Sequence, residues 1–442
     1  MQDWLTMSMG DLGRGIDAGE IDPVELTEAY LTAIKAHPLQ ERIYARLTEE
    51  RALAEAQAAS DRAKAGLRRG LLDGVPISWK DLFDTAGTVT EAGTALLEGR
   101  VPDTDALVLQ NATQAGLVCL GKTHMSELAF SGLGLNPVTA SPPCVNDVDA
   151  VSGGSSSGAA ASVAFNLAPC GIGSDTGGSV RIPSAWNDLV GLKTTSERLS
   201  LQGVVPLCAK FDTVGPLCRT VEDASLMLAA LEGSKPIDLT GASLKGRRLA
   251  VLDTIAFDDI RDAPRAAFQS AVERLSAAGA IIEHIEAPEV TDAMNQTAVV
   301  FTSEAYGTWK DEIEAAPDKM CAEILARFRA GANVSAPDYV AAWQTLDTTR
   351  ATWNARVAGY DAVLVPASPI LPPNAERLLS DHDYYVTENL LALRNTRIGN
   401  LLGLSAITLP TGVPSCGITL MGAPFGEEKL LRIAAAAETA LS

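Results

Sequence analysis

Apolar positions along this chain fall into two patterns, short solid runs and longer stretches with a helical period. Val75-Pro76-Ile77, Gly116-Leu117-Val118-Cys119-Leu120, Ala168-Pro169-Cys170-Gly171-Ile172-Gly173, Arg248–Leu252, 361–365 and 406–409 are solid runs of strand length, and they read as buried strands. Between them lie helical stretches. Asp22-Pro23-Val24-Glu25 starts one, with Asp22 as N-cap and proline in the first turn, after which Leu26, Ala29, Tyr30, Ala33 and Ile34 form an apolar face. Further helices are expected over 49–65, ending near Gly66, around 105–115 and over 221–231. The stretch from 255 to 355 reads as mostly helical. Alternating buried strands and helices predict an α/β fold with a central mixed β-sheet covered by helices.

The candidate chemistry sits in loops between these elements. Residues 153–181 hold two glycine-serine loops, Gly153-Gly154-Ser155-Ser156-Ser157-Gly158 and Gly173-Ser174-Asp175-Thr176-Gly177-Gly178-Ser179, joined by a small-residue apolar segment. Small residues let backbone N–H groups approach a substrate, and a hydroxyl there becomes a nucleophile once a base is supplied. A lysine at the end of Gly74-Val75-Pro76-Ile77-Ser78-Trp79-Lys80 offers that base. In order and spacing the three segments resemble the amidase signature family, whose pattern is a lysine after G-[IV]-P-[IV], then G-G-S-S-[SG]-G, then G-[ST]-D-T-G-G-S. Gly121-Lys122-Thr123-His124-Met125-Ser126-Glu127, Val190-Gly191-Leu192-Lys193-Thr194 and the runs at 361–366 and 406–410 extend the resemblance over nearly the whole chain.

The resemblance implies one amidase-signature domain over 1–442, with residues 70–230 as the catalytic core and 245–442 completing the sheet and the substrate pocket. It implies Ser179 as the nucleophile, Ser155 as a proton relay following a cis peptide bond after Gly154, and Lys80 as the terminal base. Such a base must be neutral for part of the cycle, which burial among hydroxyls promotes by disfavouring the charged form. Asp81, next along a strand, is expected to face away from it. The backbone N–H groups of Thr176, Gly177, Gly178 and Ser179 are the implied oxyanion donors, and Ser174, Asp175 and Arg181 are expected to brace that loop. Substrate contacts are expected from 125–131 and Trp186, and substrate identity from the divergent 255–355 stretch.

Competing patterns fit less well. Gly154-Ser155-Ser156-Ser157-Gly158 matches the G-x-S-x-G nucleophile turn, but Asn146-Asp147-Val148-Asp149-Ala150-Val151 before it reads as a polar loop, not the buried strand that turn requires. None of the eleven lysines has a serine three positions before it, which removes the S-x-x-K arrangement. Gly171-Ile172-Gly173-Ser174-Asp175-Thr176 lacks one glycine of the dinucleotide fingerprint. His124, where the family more often has Asn, is expected to be structural.

A formal charge of −20 opposes nucleic-acid binding, which depends on basic patches. Seven cysteines without a C-x-x-C pair read as reduced thiols, and Met1-Gln2-Asp3-Trp4 opens without a signal-peptide pattern, so a cytoplasmic protein is expected. The apolar segment 159–167, broken by Ser162 and Asn166, is too short to cross a bilayer. The expected function is hydrolysis of a small-molecule amide without metal or organic cofactor, with no membrane or nucleic-acid partner and with a homodimer allowed. Two alternatives stay open: the glutaminase component, or A chain, of a tRNA-dependent amidotransferase, and an inactive scaffold that retained the fold. Trp79, Trp186, Asp188 in place of Gly and Thr194 in place of Pro depart from the family pattern and lean toward a specialised amidase.

Overall fold

Eleven strands form one mixed sheet in the computed structural model, which describes residues 2–442; Met1 lies outside the described residues. From edge to edge the strands are Tyr44–Leu47, Val118–Thr123, Pro76–Lys80, Cys170–Ser174, Val214–Cys218, Val190–Lys193, Ser405–Pro410, Gly417–Gly422, Ala362–Pro366, Arg248–Leu252 and Ile281–Ile285. Central strands are buried on both faces, and this explains why they appear in the sequence as solid apolar runs. The sheet is a single-domain α/β core with helices on its faces, as the alternation of elements predicts.

Two neighbouring strands decide where the chemistry goes. Pro76–Lys80 pairs in parallel with Cys170–Ser174, with Ser78 opposite Gly171 and Trp79 opposite Ile172. Their carboxyl ends therefore leave the sheet on the same side, the usual ligand side of such sheets. Helix Ser157–Ala164, buried from Ser157 to Val163, packs against them. Gly171 and Gly173 allow that close approach: a Cβ at the first would lie 2.5 Å from Ala159 O and at the second 2.6 Å from Ser156 Oγ.

Several elements differ from the sequence expectation. Asp147–Val151 is a strand, not a loop, paired with Pro143–Cys144 in a two-stranded ribbon outside the main sheet. Its first three residues are exposed, so the polar composition that suggested a loop reflects a solvated ribbon. The 255–355 stretch carries five α-helices but also the edge strand Ile281–Ile285. The helix expected to start at Asp22 runs Pro23–Ala36, with Asp22 Oδ1 accepting from Val24 N–H at 2.8 Å. No helix is long and apolar enough to cross a membrane among the described residues.

Candidate active site

Lys80 ends its strand fully buried, and its amine is surrounded by hydroxyls. Nζ donates to Ser155 Oγ at 2.7 Å, Ser174 Oγ at 2.9 Å and Ser156 Oγ at 3.1 Å. Burial lowers the amine from its ordinary range to about 7, against the opposing pull of the Asp212 and Asp175 charges. Asp81 turns away, pairing with Arg46 at 2.9 Å and Lys122 at 3.4 Å. The sequence missed Ser174 as a direct partner of the lysine, assigning it only to bracing. Parallel pairing of the two strands brings it there.

The three consecutive serines have distinct surroundings. The Gly154–Ser155 peptide is cis, and Ser155 O accepts from Ser126 N–H at 3.1 Å. The Ser156 hydroxyl donates to Ser174 O at 3.1 Å, and Ser156 N–H donates to Ser179 O at 3.2 Å. Ser157 Oγ donates to His124 O at 3.4 Å. The Ser155 hydroxyl has Lys80 as its sole hydrogen-bond partner among the described residues.

The loop after Cys170–Ser174 is held by its buried aspartate. Asp175 accepts from the backbone N–H of Gly178 at 2.9 Å and of Val180 at 3.2 Å, from Arg181 Nε and Nη2 at 3.0 Å each, and from Asn400 Nδ2 at 2.8 Å. Burial pushes its carboxyl up, but the Arg181 charge and these hydrogen bonds prevail and hold it well below the usual carboxylate range. Arg181 also donates to Thr396 O at 2.7 Å and Asn400 Oδ1 at 2.5 Å, so helix His382–Leu401 clamps the loop. Gly178 has φ 135°, and a Cβ there would lie 2.0 Å from Thr396 Oγ1. Thr176 Oγ1 donates to Asp212 at 2.5 Å.

This bracing sorts the four expected oxyanion donors. The Gly178 N–H is engaged by Asp175, whereas those of Thr176, Gly177 and Ser179 have no protein acceptor among the described residues. The Ser179 hydroxyl likewise makes no hydrogen bond there. With Thr176 and Gly177 it lines a cavity of about 660 Å³, whose other walls include Phe130, Leu207, Phe301 and Leu393. Ala129, Phe130 and Ser131 of the expected 125–131 segment reach the cavity, and so do residues between Met294 and Ala330. Trp186 does not; its indole donates to Ile370 O at 3.2 Å within a separate apolar cluster.

His124 stays outside the cavity, and burial lowers its imidazole to about 4. Asp188 adopts φ 55°, the conformation glycine favours, and its carboxylate accepts from Ser415 N–H and Asn146 Nδ2 at 2.9 and 2.7 Å. Thr194 Oγ1 donates to Val214 O at 2.9 Å, and Trp79 packs edge-on against Phe83. These departures from the family pattern serve packing, so they do not identify a substrate. Among the described residues no group of three His, Cys, Asp or Glu is arranged to hold a metal ion.

A profile of the amidase family matches residues 25–431. The A subunit of the glutamyl-tRNA(Gln) amidotransferase of Anaeromyxobacter sp. (strain K) is 31% identical, over 98% of this chain and 96% of its own length. A solved amidase structure superposes with a TM-score of 0.88 at 28% identity, covering 99% of this chain and 100% of its own. A chain from a vestigial protein complex tied to the evolutionary origins of an s-triazine catabolic enzyme superposes with a TM-score of 0.89 at 26% identity, covering 98% of each chain.

Proposed function

The chain belongs to the amidase family, and from that membership we propose that it is a stand-alone hydrolase cleaving a carboxylic amide through an acyl ester on Ser179. The observation that carries this reading is the Lys80 amine, buried among three seryl hydroxyls, one of whose residues, Ser156, also donates its backbone N–H to Ser179 O at 3.2 Å. A neutral amine has two N–H donors and one lone pair. Ser156 spends its own proton on Ser174 O and accepts one N–H, and Ser174 Oγ accepts the other. The lone pair is then left for the proton of Ser155.

In the forward step the Ser179 hydroxyl turns to Ser155, gives up its proton through Ser155 to Lys80, and its Oγ bonds to the amide carbon. Catalytic hydrogen bonds that are open in a free enzyme commonly close when substrate binds. The carbonyl oxygen, now negative, accepts from the free N–H groups of Thr176, Gly177 and Ser179; each such donor contributes on the order of 3 kcal/mol to the barrier reduction. Gly178, its N–H held by Asp175, shapes the loop instead. Collapse breaks the C–N bond as the proton returns through Ser155 to the departing nitrogen, and water then hydrolyses the ester by the same relay. The test is ammonia release from a panel of amides by wild type and Ser179→Ala, with mass spectrometry of a trapping electrophile. The expected adduct is on Ser179, and an adduct on Ser156 overturns the assignment.

A second reading has one observation in its favour. A relative that matches this chain over nearly its whole length is the A component of a glutamyl-tRNA(Gln) amidotransferase, and under this reading the chain would release ammonia from glutamine within a larger assembly.

A further inference from the structure

The chain has a formal charge of −20, yet the wall of its cavity carries two guanidinium groups without an acidic partner. Arg397, on helix His382–Leu401, is 9% exposed, and its guanidinium forms no hydrogen bond or ion pair among the described residues. Its stem runs along the nucleophile loop: a Cβ on Gly177 would lie 3.6 Å from Arg397 Cγ and 3.9 Å from Nε. Arg327, on helix Ala322–Arg329, lies over the Phe130 ring at 4.4 Å, and its Nη1 is buried without a hydrogen-bond partner. The single carboxylate lining the cavity is Glu323, which already accepts from Cys321 Sγ at 3.1 Å and faces His382 Nδ1 at 3.6 Å.

Arg181, the other buried arginine of this region, shows what the fold does with a guanidinium it needs for itself, because every face of it meets Asp175, Asn400 or Thr396. Arg397 and Arg327 have no such partners. Burial and then the nearby Arg327 charge lower Arg397 to about 9, which still leaves it protonated at neutral pH. A desolvated cation without an anion is costly to keep, and a guanidinium matches a carboxylate in planar, two-point geometry.

We propose that the cavity selects amides that carry a carboxylate and no ammonium group, held between Arg397 and Arg327. This rests on the amidase reading of the same site. Because Arg397 lies along Gly177, the anion is held a few atoms from the reacting carbonyl, which points to half-amides of short dicarboxylic acids. An ammonium group, by contrast, would enter beside two cations and find no free carboxylate.

The test compares matched substrates: succinamate against its neutral isostere butyramide, and glutaramate against glutamine, with malonamate extending the length series. The expected result is a kcat/KM advantage of about 100-fold for at least one half-amide over the neutral compound, carried mainly by KM. Arg397→Gln and Arg327→Gln should each cut that ratio by about tenfold or more. Malonate, succinate or glutarate should raise the melting temperature of wild type and of Ser179→Ala, and butyramide should not. Equal turnover of succinamate and butyramide overturns the anion site while leaving the hydrolase reading intact. If no amide is cleaved but a dicarboxylate still stabilises the wild type, the hydrolase reading fails and the anion site stands. Faster turnover of glutamine than of glutaramate overturns the exclusion of ammonium. Should the arginine variants not fold, wild-type stabilisation by dicarboxylates against none by butyramide decides the matter alone.

Discussion

At the residue scale, the proposed mechanism makes the protonation of Lys80 govern when this site works. Its amine is brought to about 7 chiefly by burial, and only the neutral form takes a proton from Ser155. The neutral fraction rises with pH, so kcat/KM should climb about tenfold per pH unit below 7 and level off above it. Asp212 pulls the amine upward, so Asp212→Asn should shift that acid limb to lower pH. A limb near the ordinary lysine value would mean that burial does not lower the Lys80 amine, and a Lys80→Ala variant with the wild-type rate at pH 7 would exclude Lys80 as the base. Lys80→Ala should lose most activity at pH 7 and regain part of it at high pH, where hydroxide replaces the amine. As candidates for the proposed relay, Lys80, Ser155 and Ser179 were legible in the sequence because each sits in a short glycine-serine or strand motif. Asn400, Thr396 and Arg397 were not, since they lie on a late helix whose residues gain meaning only when it packs on the loop.

At the element scale, the contact between helix Ser157–Ala164 and strand Cys170–Ser174 fixes the distance from the serines to the lysine. Gly173→Ala would put a Cβ 2.6 Å from Ser156 Oγ and 2.8 Å from Leu217 Cδ1. The expected cost is about 1–3 kcal/mol by urea unfolding, with a fall in kcat as Ser156 is displaced from Lys80. Gly307, inside helix Thr297–Ala315, has open space where its Cβ would go. Gly307→Ala should therefore stabilise by about 0.5–1 kcal/mol without a change in kcat. Should Gly173→Ala also stabilise, the lost freedom of the unfolded chain, not close packing, would set the result. The strands that the sequence exposed are those buried on both faces. Ile281–Ile285 escaped notice because it is a partly exposed edge strand carrying Glu283 and His284. Val214–Cys218 was obscured by Gly215 and Pro216, residues that ordinarily argue against a central strand.

At the scale of the whole molecule, the question is whether the chain works alone. The cavity beside Ser179 is walled by segments distant in sequence, from Ala129 to Arg397, all of them supplied by this one chain. The loop that carries Ser179 is likewise clamped from within, by Arg181 and by Asn400 and Thr396 of helix His382–Leu401. Under the stand-alone reading proposed above, a site organised in this way is competent without a partner. A glutaminase component that depends on a partner behaves differently: by itself it turns over glutamine poorly, and its rate rises when the partner arrives. The purified chain should therefore hydrolyse at least one small amide unaided, and should transfer the same acyl group to hydroxylamine because an amine can intercept the Ser179 ester. Ammonia and hydroxamate assays on a single-component preparation check this, run beside a matched preparation containing an amidotransferase B-type partner. If the lone chain is inert on every amide, yet releases ammonia from glutamine once that partner is present, the stand-alone assignment is wrong and the amidotransferase reading takes its place.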